Sequence, residues 1–255
     1  MKRAFVIIAP SLLIFAVLAG WEAACRAFDV NPVILPTPTM IAQALAANLP
    51  LLAISAWNTF AMALMALAAA SAVATSLALL AAVSGVLERS IRPLAVALQV
   101  TPVVALAPLI QIWAGIDHPR VAEVALAGVV AFFPIYSGAV SGLRAADPDL
   151  ERLFDLYGAR PLQRLTRLRI PSAVPFMLQG HKVAVGLALV GAVVAEFAAG
   201  AGGAQGLAWR ILEANNHLQS DKMMAALLVL ALMGAALHTL FQSLERRAIA
   251  WWRGR

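Results

Sequence analysis

The sequence predicts an all-α, polytopic membrane protein with about six transmembrane helices and a short helix on the cytoplasmic side. Hydrophobic residues make up 62% of the 255 residues, and charged residues make up only 13%. Soluble domains are about half apolar and about a quarter charged. The mean hydropathy is +0.84, and a soluble fold of this length has too little interior to bury so much apolar surface. A bilayer removes that limit.

Six apolar runs supply the predicted spans. A helix needs about 20 mostly apolar residues to cross the hydrocarbon core, and each run is nearly free of Asp, Glu, Lys and Arg. Prolines crowd the region before the second run, which places the start of its helix near Leu51. The fifth run is interrupted only by His181, Lys182 and Glu196. The predicted spans cover residues 4–20, 51–87, 93–116, 124–143, 171–199 and 223–244.

The distribution of basic residues orients these spans. An even number of spans places both termini on one side of the membrane, and Lys and Arg gather on the cytoplasmic side. Outside the spans, 14 basic residues lie on the side of the termini and four lie on the opposite side. We therefore predict that both termini are cytoplasmic. The net charge of +6 reflects this topology, so it indicates neither a nucleic acid partner nor an anionic substrate.

The N-terminal segment has a second interpretation. Lys2 and Arg3, an apolar stretch and then Ala23-Ala24-Cys25 resemble a cleaved signal peptide, even that of a lipoprotein. Its removal would leave five spans and spoil the charge asymmetry, so a retained first span is favoured. Cys25 is the only cysteine, which excludes an internal disulfide and a cysteine-rich metal site.

The longest cytoplasmic loop, residues 144–171, predicts a short helix outside the bilayer. Asp147 can cap this helix, Pro148 suits its first turn, and Gly158 can end it. Its apolar side chains recur at helical spacing and form one face. They are Leu150, Leu153, Phe154 and Tyr157. Two interpretations fit such a helix, and the physics alone leaves both open: packing on its own protein or on lipid headgroups, and docking into a groove on a partner.

The end of this loop resembles a known signature. Pro161 is expected to open a second short helix, and Pro171 to restart the chain into the membrane. ABC importer permeases carry a cytoplasmic signature of Glu-Ala-Ala, three residues, Gly, nine residues, Ile, one residue and Leu-Pro. Gly158 and Leu168-Arg169-Ile170-Pro171 match its second half in spacing and character. Arg152-Leu153-Phe154 stand where Glu-Ala-Ala would be, which weakens the expected glutamate contact.

Flanking segments extend the resemblance to roughly residues 30–252. They are similar to the branch of ABC importer permeases that imports nitrate, sulfonates, taurine and thiamine-precursor pyrimidines. These segments are Leu35-Pro-Thr-Pro38, Pro102 to Pro108, Trp113-Ala-Gly115, Val190 to Phe197 and Gln205-Gly206-Leu207. The resemblance implies a single transmembrane domain over residues 1–255, with its core at 50–245 and a coupling loop at 144–171.

The same resemblance implies half of a transporter in the bacterial inner membrane. A second permease chain, expected to be an identical copy, would complete the path across the bilayer. Two ATP-binding cassette subunits would sit beneath it, and a periplasmic binding protein would deliver the solute. The loop helix would be the coupling helix that contacts the ATPase. Its contact residues are expected to be Leu150, Leu153, Phe154, Tyr157, Gly158, Ala159 and Arg160.

No catalytic chemistry is expected in this chain. ATP binding needs a glycine-rich loop that ends in Gly-Lys-Ser/Thr, and none of Lys2, Lys182 and Lys222 follows a glycine. The four histidines lie in different segments without the spacing of metal ligands. The chain is therefore predicted not to be an enzyme and to hold no cofactor or metal, with ATP and magnesium bound by the partner ATPase.

Polar residues at membrane depth are candidates for the solute path. They are Gln99, Thr101, Gln111, Tyr136 and Glu196. A plainer interpretation is hydrogen bonding to helix neighbours and, for Glu196, an interfacial position at a helix end. Pro102 and Pro108 interrupt the third span, and broken backbone at this depth is tolerated where it is buried or lines a cavity. We therefore expect the third span to form part of the path wall.

The predicted solute is small and polar, of the nitrate, sulfonate or taurine type or of the thiamine-precursor pyrimidine or riboflavin type. Residues 104–108 and 190–197 are slightly closer to the pyrimidine and riboflavin importers. The alternative function is a self-sufficient secondary transporter or channel, which needs inverted repeats or a buried ion-coupling group. No convincing internal repeat is present in the sequence, and Glu196 is a lone candidate for such a group.

Overall fold

The computed structural model describes residues 2–115, 118–199 and 205–253, with the side chains of residues 2–11, 251 and 253 left out. Within these ranges the chain forms helices and connecting turns and contains no strand, as predicted. The helices are α1 Lys2–Ala27, α2 Pro38–Ala47, α3 Leu49–Val83, α4 Gly85–Val100, α5 Val103–Ala114, α6 Pro119–Leu143, α7 Pro148–Leu156, α8 Pro161–Arg164, α9 Ile170–Ala199, α10 Leu207–Asn216 and α11 Ser220–Arg253. A π-helical turn, Leu165–Arg169, joins α8 to α9.

Four helical stretches are long and apolar enough to cross a bilayer: Leu49–Val83, Pro119–Leu143, Pro161–Ala199 and Ser220–Ala250. They correspond to the second, fourth, fifth and sixth predicted spans. The pair α4 and α5 counts as a fifth stretch if the two helices form one broken span. The first predicted span lies within α1, and the total of six spans stays a prediction.

The third predicted span is bent rather than straight. The chain bends by 108° between α4 and α5, with Thr101 and Pro102 at the bend in extended conformations. Pro102 has no backbone N–H to donate, and its ring disfavours the helical conformation at Thr101. The Thr101 hydroxyl donates to the Ala97 carbonyl oxygen at 2.7 Å, which satisfies one carbonyl at the end of α4. Ile116, the predicted end of this span, lies outside the described residues.

The chain divides into two compact units, Met1–Trp57 with Gln205–Ala231 and Asn58–Ala204 with Leu232–Arg255. In the first unit, Glu22 ties α1 to α2, because its carboxylate accepts hydrogen bonds from the Thr39 hydroxyl at 2.8 Å and the Thr39 backbone N–H at 3.1 Å. In the second unit, Lys182 of α9 pairs with Glu245 of α11 at 2.9 Å. That pair satisfies an ammonium group inside a predicted span.

In the second unit, α6 and α9 pack extensively against each other. Glycines let the two backbones meet. A Cβ atom at Gly138 would lie 2.8 Å from the Phe176 carbonyl oxygen, and one at Gly180 would lie 2.6 Å from the Pro134 carbonyl oxygen. Further along α9, a Cβ at Gly191 would lie 2.8 Å from the α-carbon of α6 residue Ala127. Small residues that permit such approach are typical of helix interfaces in membranes.

The chain enters α9 differently from the prediction. Helix α9 begins at Ile170, next to the predicted start at Pro171, but Pro171 does not follow a break, because the helical path is continuous from Pro161 to Ala199. The wide turn Leu165–Arg169 precedes it. A proline inside a regular helix clashes with the carbonyl four residues earlier, and a π-helical turn displaces that carbonyl. The predicted short helix opened by Pro161 is confirmed as α8.

The close packing of α6 and α9 predicts a position-specific effect of adding one methyl group. Gly180→Ala is expected to lower the melting temperature of the purified protein by several degrees. The new Cβ would meet the backbone of Pro134, and overpacking of this kind costs about 1–3 kcal/mol. Gly186→Ala on the same helix is the matched control, since nothing lies within 4 Å of its Cβ position. Thermal unfolding in detergent, followed by tryptophan fluorescence, measures both variants. Equal melting temperatures would contradict the packing account.

Candidate functional site: the cytoplasmic loop and the membrane clefts

Helix α7 forms in the cytoplasmic loop where it was predicted, at Pro148–Leu156. The Asp147 carboxylate caps it by accepting the Asp149 backbone N–H at 2.8 Å, and Pro148 occupies the first turn, where its missing N–H costs nothing. Gly158 ends the helix with a φ of +62°, a left-handed conformation that favours glycine. Its N–H donates to the Asp155 carbonyl oxygen at 3.0 Å.

The apolar side chains of α7 remain exposed. None of its residues is buried, and the exposed fraction is 44% for Leu150, 43% for Leu153 and 82% for Tyr157. Phe154 is half-buried. Leu156 is 85% exposed and was not among the predicted contact residues, although its spacing of three residues from Leu153 could have indicated it. We call these five side chains the α7 stripe. A contiguous exposed apolar patch marks an interaction surface more often than a solvated one.

A charged network fastens α7 to the membrane helices. The Glu151 carboxylate accepts a hydrogen bond from Arg169 Nε at 2.7 Å and lies 3.4 Å from Arg164 Nη1. Arg164 also pairs with Asp155 at the end of α7. Arg169 Nη1 donates to the Ala82 carbonyl oxygen at 3.4 Å, in the last turn of α3. One guanidinium therefore joins α7, α3 and the start of α9.

The sequence reasoning missed this network. Arg169 was used only as a position of the loop signature, and Glu151 was given no role. A signal was available, because the turn at Gly158 brings the chain back toward α7, so that charges 18 residues apart can meet. The remaining predicted contact residues lie in this turn. The Ala159 N–H donates to the Phe154 carbonyl oxygen at 3.0 Å, and the Arg160 backbone N–H donates to the Gln163 side chain at 2.9 Å. Arg160 itself is exposed.

Two of the predicted path residues lie at one end of α9. Glu196 is only 1% exposed, and its carboxylate accepts a hydrogen bond from the Thr59 hydroxyl at 2.6 Å. It is therefore not an exposed interfacial glutamate. Gln111 of α5 donates to the Ala198 carbonyl oxygen at 3.1 Å. The third span thus contacts the end of α9 through a side-chain amide.

The other predicted path residues are spread over the second unit. Tyr136 is 4% exposed and stacks on Phe132 with ring centroids 5.7 Å apart, so its ring belongs to the core. Thr101 lies at the bend of the third span. Gln99 is exposed at the end of α4 and lines a cleft. The predicted set therefore does not converge on one point in this chain.

Two large clefts are among the pockets of the second unit, and their chemistry differs. The first has a volume of about 620 Å³, lies between α4, α6 and α9 and has a mostly apolar lining; we call it the polar cleft for the four amide and hydroxyl side chains that it contains. Its lining includes Gln99, Phe133, Ser137, Ser141, Phe176 and Gln179. The apolar cleft has a volume of about 720 Å³. Its lining includes Met65, Val73, Leu77, Val124 and Phe132, and Arg120 is its one charged residue.

A polar cluster in the first unit was also not predicted from the sequence. The Arg210 side chain donates to the buried Ser55 hydroxyl at 3.1 Å and pairs with Glu213 at 2.7 Å. A cavity of about 200 Å³ beside this pair is also lined by His217 and Lys222. The spacing of Arg210 and Glu213 on one helix face was the available signal. Among the described residues, no group of three or more His, Cys, Asp and Glu could hold a metal ion.

Comparison with known proteins identifies the family. The family of binding-protein-dependent transport system inner membrane components matches residues 74–250. The chain is 30% identical over 263 residues to the formylaminopyrimidine transport permease protein ThiX of Halalkalibacterium halodurans, with 98% of each chain covered. It is 35% identical over 242 residues to the riboflavin transport system permease protein RibX of Chloroflexus aurantiacus, which covers 92% of this chain and 86% of the relative.

A more distant relative has another named solute. The chain is 24% identical over 241 residues to the taurine transport system permease protein TauC of Escherichia coli, with 92% of this chain and 86% of the relative covered. These likenesses set aside the alternative of a self-sufficient secondary transporter or channel, and they indicate a multi-pass protein of the inner membrane. The chain belongs to the family of binding-protein-dependent transport system inner membrane components, and it is the permease subunit of an ABC importer.

Proposed function

We propose that this permease forms half of a translocation path and that α7 is its coupling helix. In this proposal two copies of the chain stand side by side, each with one ATP-binding cassette subunit beneath it. Both termini are cytoplasmic, as the distribution of basic residues favours. ATP and magnesium bind to the partner subunits, because the sequence lacks a glycine-rich phosphate loop. A binding protein delivers the solute from the periplasmic side.

The observation that carries this proposal is the exposed α7 stripe on an anchored helix. A short helix held only by lipid headgroups needs no fixed connection to the membrane helices. Helix α7 has one, through Glu151 and Arg169. An amphipathic helix of this kind fits a hydrophobic groove on a partner, with apolar anchors at helical spacing. A partner that moves this groove would move the helix with it.

The coupling mechanism follows from the connections of α7. ATP binding biases the ATPase pair toward its closed state, and it shifts the permease only as far as the two states differ in affinity. A displaced α7 pulls on Arg169, which contacts the end of α3 and begins the path into α9. Because α9 packs backbone to backbone on α6, both helices move together. The path between two permease copies then opens on one side of the membrane and closes on the other.

The relatives support a small polar solute. The named solutes of the similar permeases include formylaminopyrimidine, riboflavin, aliphatic sulfonates and taurine. They share small size and several hydrogen-bonding groups, although they differ in charge and shape. We propose a solute of this general class for the present permease. Uptake by the reconstituted importer, driven by ATP, tests the assignment at this level.

If α7 docks on the ATPase, removing an exposed side chain of the α7 stripe should weaken ATPase binding strongly, even though that side chain packs little against its own chain. Tyr157→Ala is expected to weaken co-purification of the ATPase at least tenfold. A buried aromatic anchor at an interface is often worth about 2 kcal/mol or more. Because Tyr157 is 82% exposed, its loss leaves the permease fold intact. The affinity of the purified permease in nanodiscs for the isolated ATPase measures the effect.

The matched control for this variant is Phe28→Ala, since Phe28 is an aromatic residue with 80% of its surface exposed and lies outside the cytoplasmic loop. It is expected to bind the ATPase like the wild type. If Tyr157→Ala binds the ATPase with unchanged affinity, α7 does not dock through its stripe and the coupling-helix proposal fails.

The charged network predicts uncoupling without loss of assembly. Glu151→Gln removes the charge that Arg164 and Arg169 share, while the α7 stripe remains. We expect normal ATPase binding, continued ATP hydrolysis and roughly fivefold less solute taken up per ATP. That factor corresponds to about 1 kcal/mol, a modest value for a charged hydrogen bond. Uptake and hydrolysis measured in the same proteoliposomes give the ratio.

The control for the network is Asp149→Asn on the same helix. Asp149 pairs with Arg152, and both side chains are highly exposed, at 85% and 78%. Exposed pairs contribute little, so this variant is expected to keep the wild-type ratio of uptake to hydrolysis. A wild-type ratio in Glu151→Gln as well would show that the Glu151–Arg169 contact does not transmit the motion.

A further inference from the structure

The polar cleft bears on the class of solute, which the sequence analysis left open between two types. It lies among helices that cross the membrane. Ser137 is six residues, about 9 Å at 1.5 Å per residue, inside the end of α6 at Leu143. Gln179 lies nine residues beyond the start of α9 at Ile170. The cleft is therefore within the depth of the bilayer and not on a loop surface.

Its polar side chains have no partners among the described residues. Gln99 and Gln179 are exposed, and neither these amides nor the hydroxyls of Ser137 and Ser141 donate or accept a side-chain hydrogen bond there. Polar groups left unsatisfied in hydrocarbon are costly. The cost disappears where such groups face water or a polar solute. The apolar cleft is better suited than the polar cleft to a lipid-covered face, because its lining is aliphatic and aromatic apart from Arg120.

The lining of the polar cleft contains no ionisable side chain. An organic anion taken from water into such a cleft would lose hydration without gaining a positive charge, and this is unfavourable. A side-chain amide supplies both donors and an acceptor, which matches the N–H, ring nitrogen and C=O edges of a heterocycle. Phe133 and Phe176 add aromatic surface on which a flat ring can stack. The volume of about 620 Å³ lies within the range of sites for small molecules, about 300–1,000 Å³.

We propose that the polar cleft is the part of the translocation path that contacts the solute, and that the solute is a neutral, planar heterocycle with amide-like hydrogen-bonding edges, not an organic anion. This inference rests on the proposed function, since it assumes that the chain forms half of a path. It narrows the class of solute and assigns Gln99 and Gln179 as the residues that select it. Gln99 was predicted as a path residue, and Gln179 was not.

Cysteine protection tests the cleft directly and bypasses the selectivity of the binding protein. Ser137→Cys is made in a Cys25→Ser background, and the complex with its ATPase is placed in nanodiscs. N-ethylmaleimide is the neutral reagent, and 2-sulfonatoethyl methanethiosulfonate is the anionic reagent. Both rates, read on the permease by mass spectrometry, are normalised to those at Leu162→Cys, an exposed position in α8. We expect the normalised rate of the neutral reagent to be about tenfold higher than that of the anionic reagent, because the cleft offers no positive charge to an anion.

Protection by solutes identifies the preferred class. The neutral probe 4-amino-5-hydroxymethyl-2-methylpyrimidine should slow modification of Ser137→Cys, and ethanesulfonate should not. Gln179→Leu should weaken protection about tenfold, as expected for a lost hydrogen bond. The control variant Gln242→Leu, at a glutamine in α11 outside the cleft lining, should leave protection unchanged.

Two results would overturn the proposal. Equal normalised rates with equal protection by ethanesulfonate would mean that the cleft accepts anions. Failure of both reagents to modify Ser137→Cys would mean that lipid or the second permease covers the cleft. Co-purification of the ATPase and its ATP hydrolysis are measured in the same samples. Their loss would instead contradict the proposed function on which this inference rests.

Discussion

Helices α6 and α9 meet with their backbones in contact, and the rest of the second unit depends on that contact. A Cβ at Gly142 would lie 2.8 Å from the α-carbon of Ala173, and one at Gly180 would lie 2.6 Å from the Pro134 carbonyl oxygen. In a bilayer the hydrophobic effect does not drive helices together, so close van der Waals packing must hold them. Interiors packed this closely rearrange in discrete steps instead of deforming smoothly. The two helices therefore act as one body.

The cytoplasmic loop inherits its geometry from this pair of helices. It leaves α6 at Leu143 and returns at Ile170, so both of its ends are fixed to the same body. Glu151 and Arg169 close the loop on itself, and Arg169 reaches the end of α3. A force applied to the α7 stripe is then delivered to the helices and not absorbed by a hinge. One wall of the polar cleft lies on the same body, so in the proposed mechanism Gln179 would move with α7.

The sequence predicted the elements that rest on local chemistry. Apolar length gave the long helices, and the capping pattern from Asp147 to Gly158 gave α7 almost to the residue. It did not predict features that depend on tertiary approach. Gly186 and Gly191 both have aliphatic neighbours in the sequence, yet only Gly191 meets the neighbouring helix, while nothing lies within 4 Å of a Cβ at Gly186. Which glycine faces a partner depends on the rotation of α9, which composition does not encode.

The candidate site divides in the same way. The α7 stripe followed from periodicity, whereas the pairing of Glu151 with Arg169 required knowledge of how the loop folds back. Among the path residues, polarity alone could not separate Tyr136, which lies in the core, from Gln99, which lines the polar cleft. Glu196 was noticed for its charge, but its bond to Thr59 joins residues 137 positions apart. Pro102 predicted an interruption of the third span, but it did not predict the angle of the bend.

The central claim is that α7 and the α6–α9 pair move as one body, and distance measurements between spin labels test it most directly. Asp149→Cys on α7 and Val190→Cys on α9, in a Cys25→Ser chain paired with an unlabelled copy, report the distance within one permease. Asp149→Cys in both copies reports the distance between the two α7 helices. When the ATPase is trapped with ATP, the account predicts an unchanged distance within the chain and a changed distance between the chains. A distance within the chain that changes while the α7 helices stay at a fixed separation would contradict it.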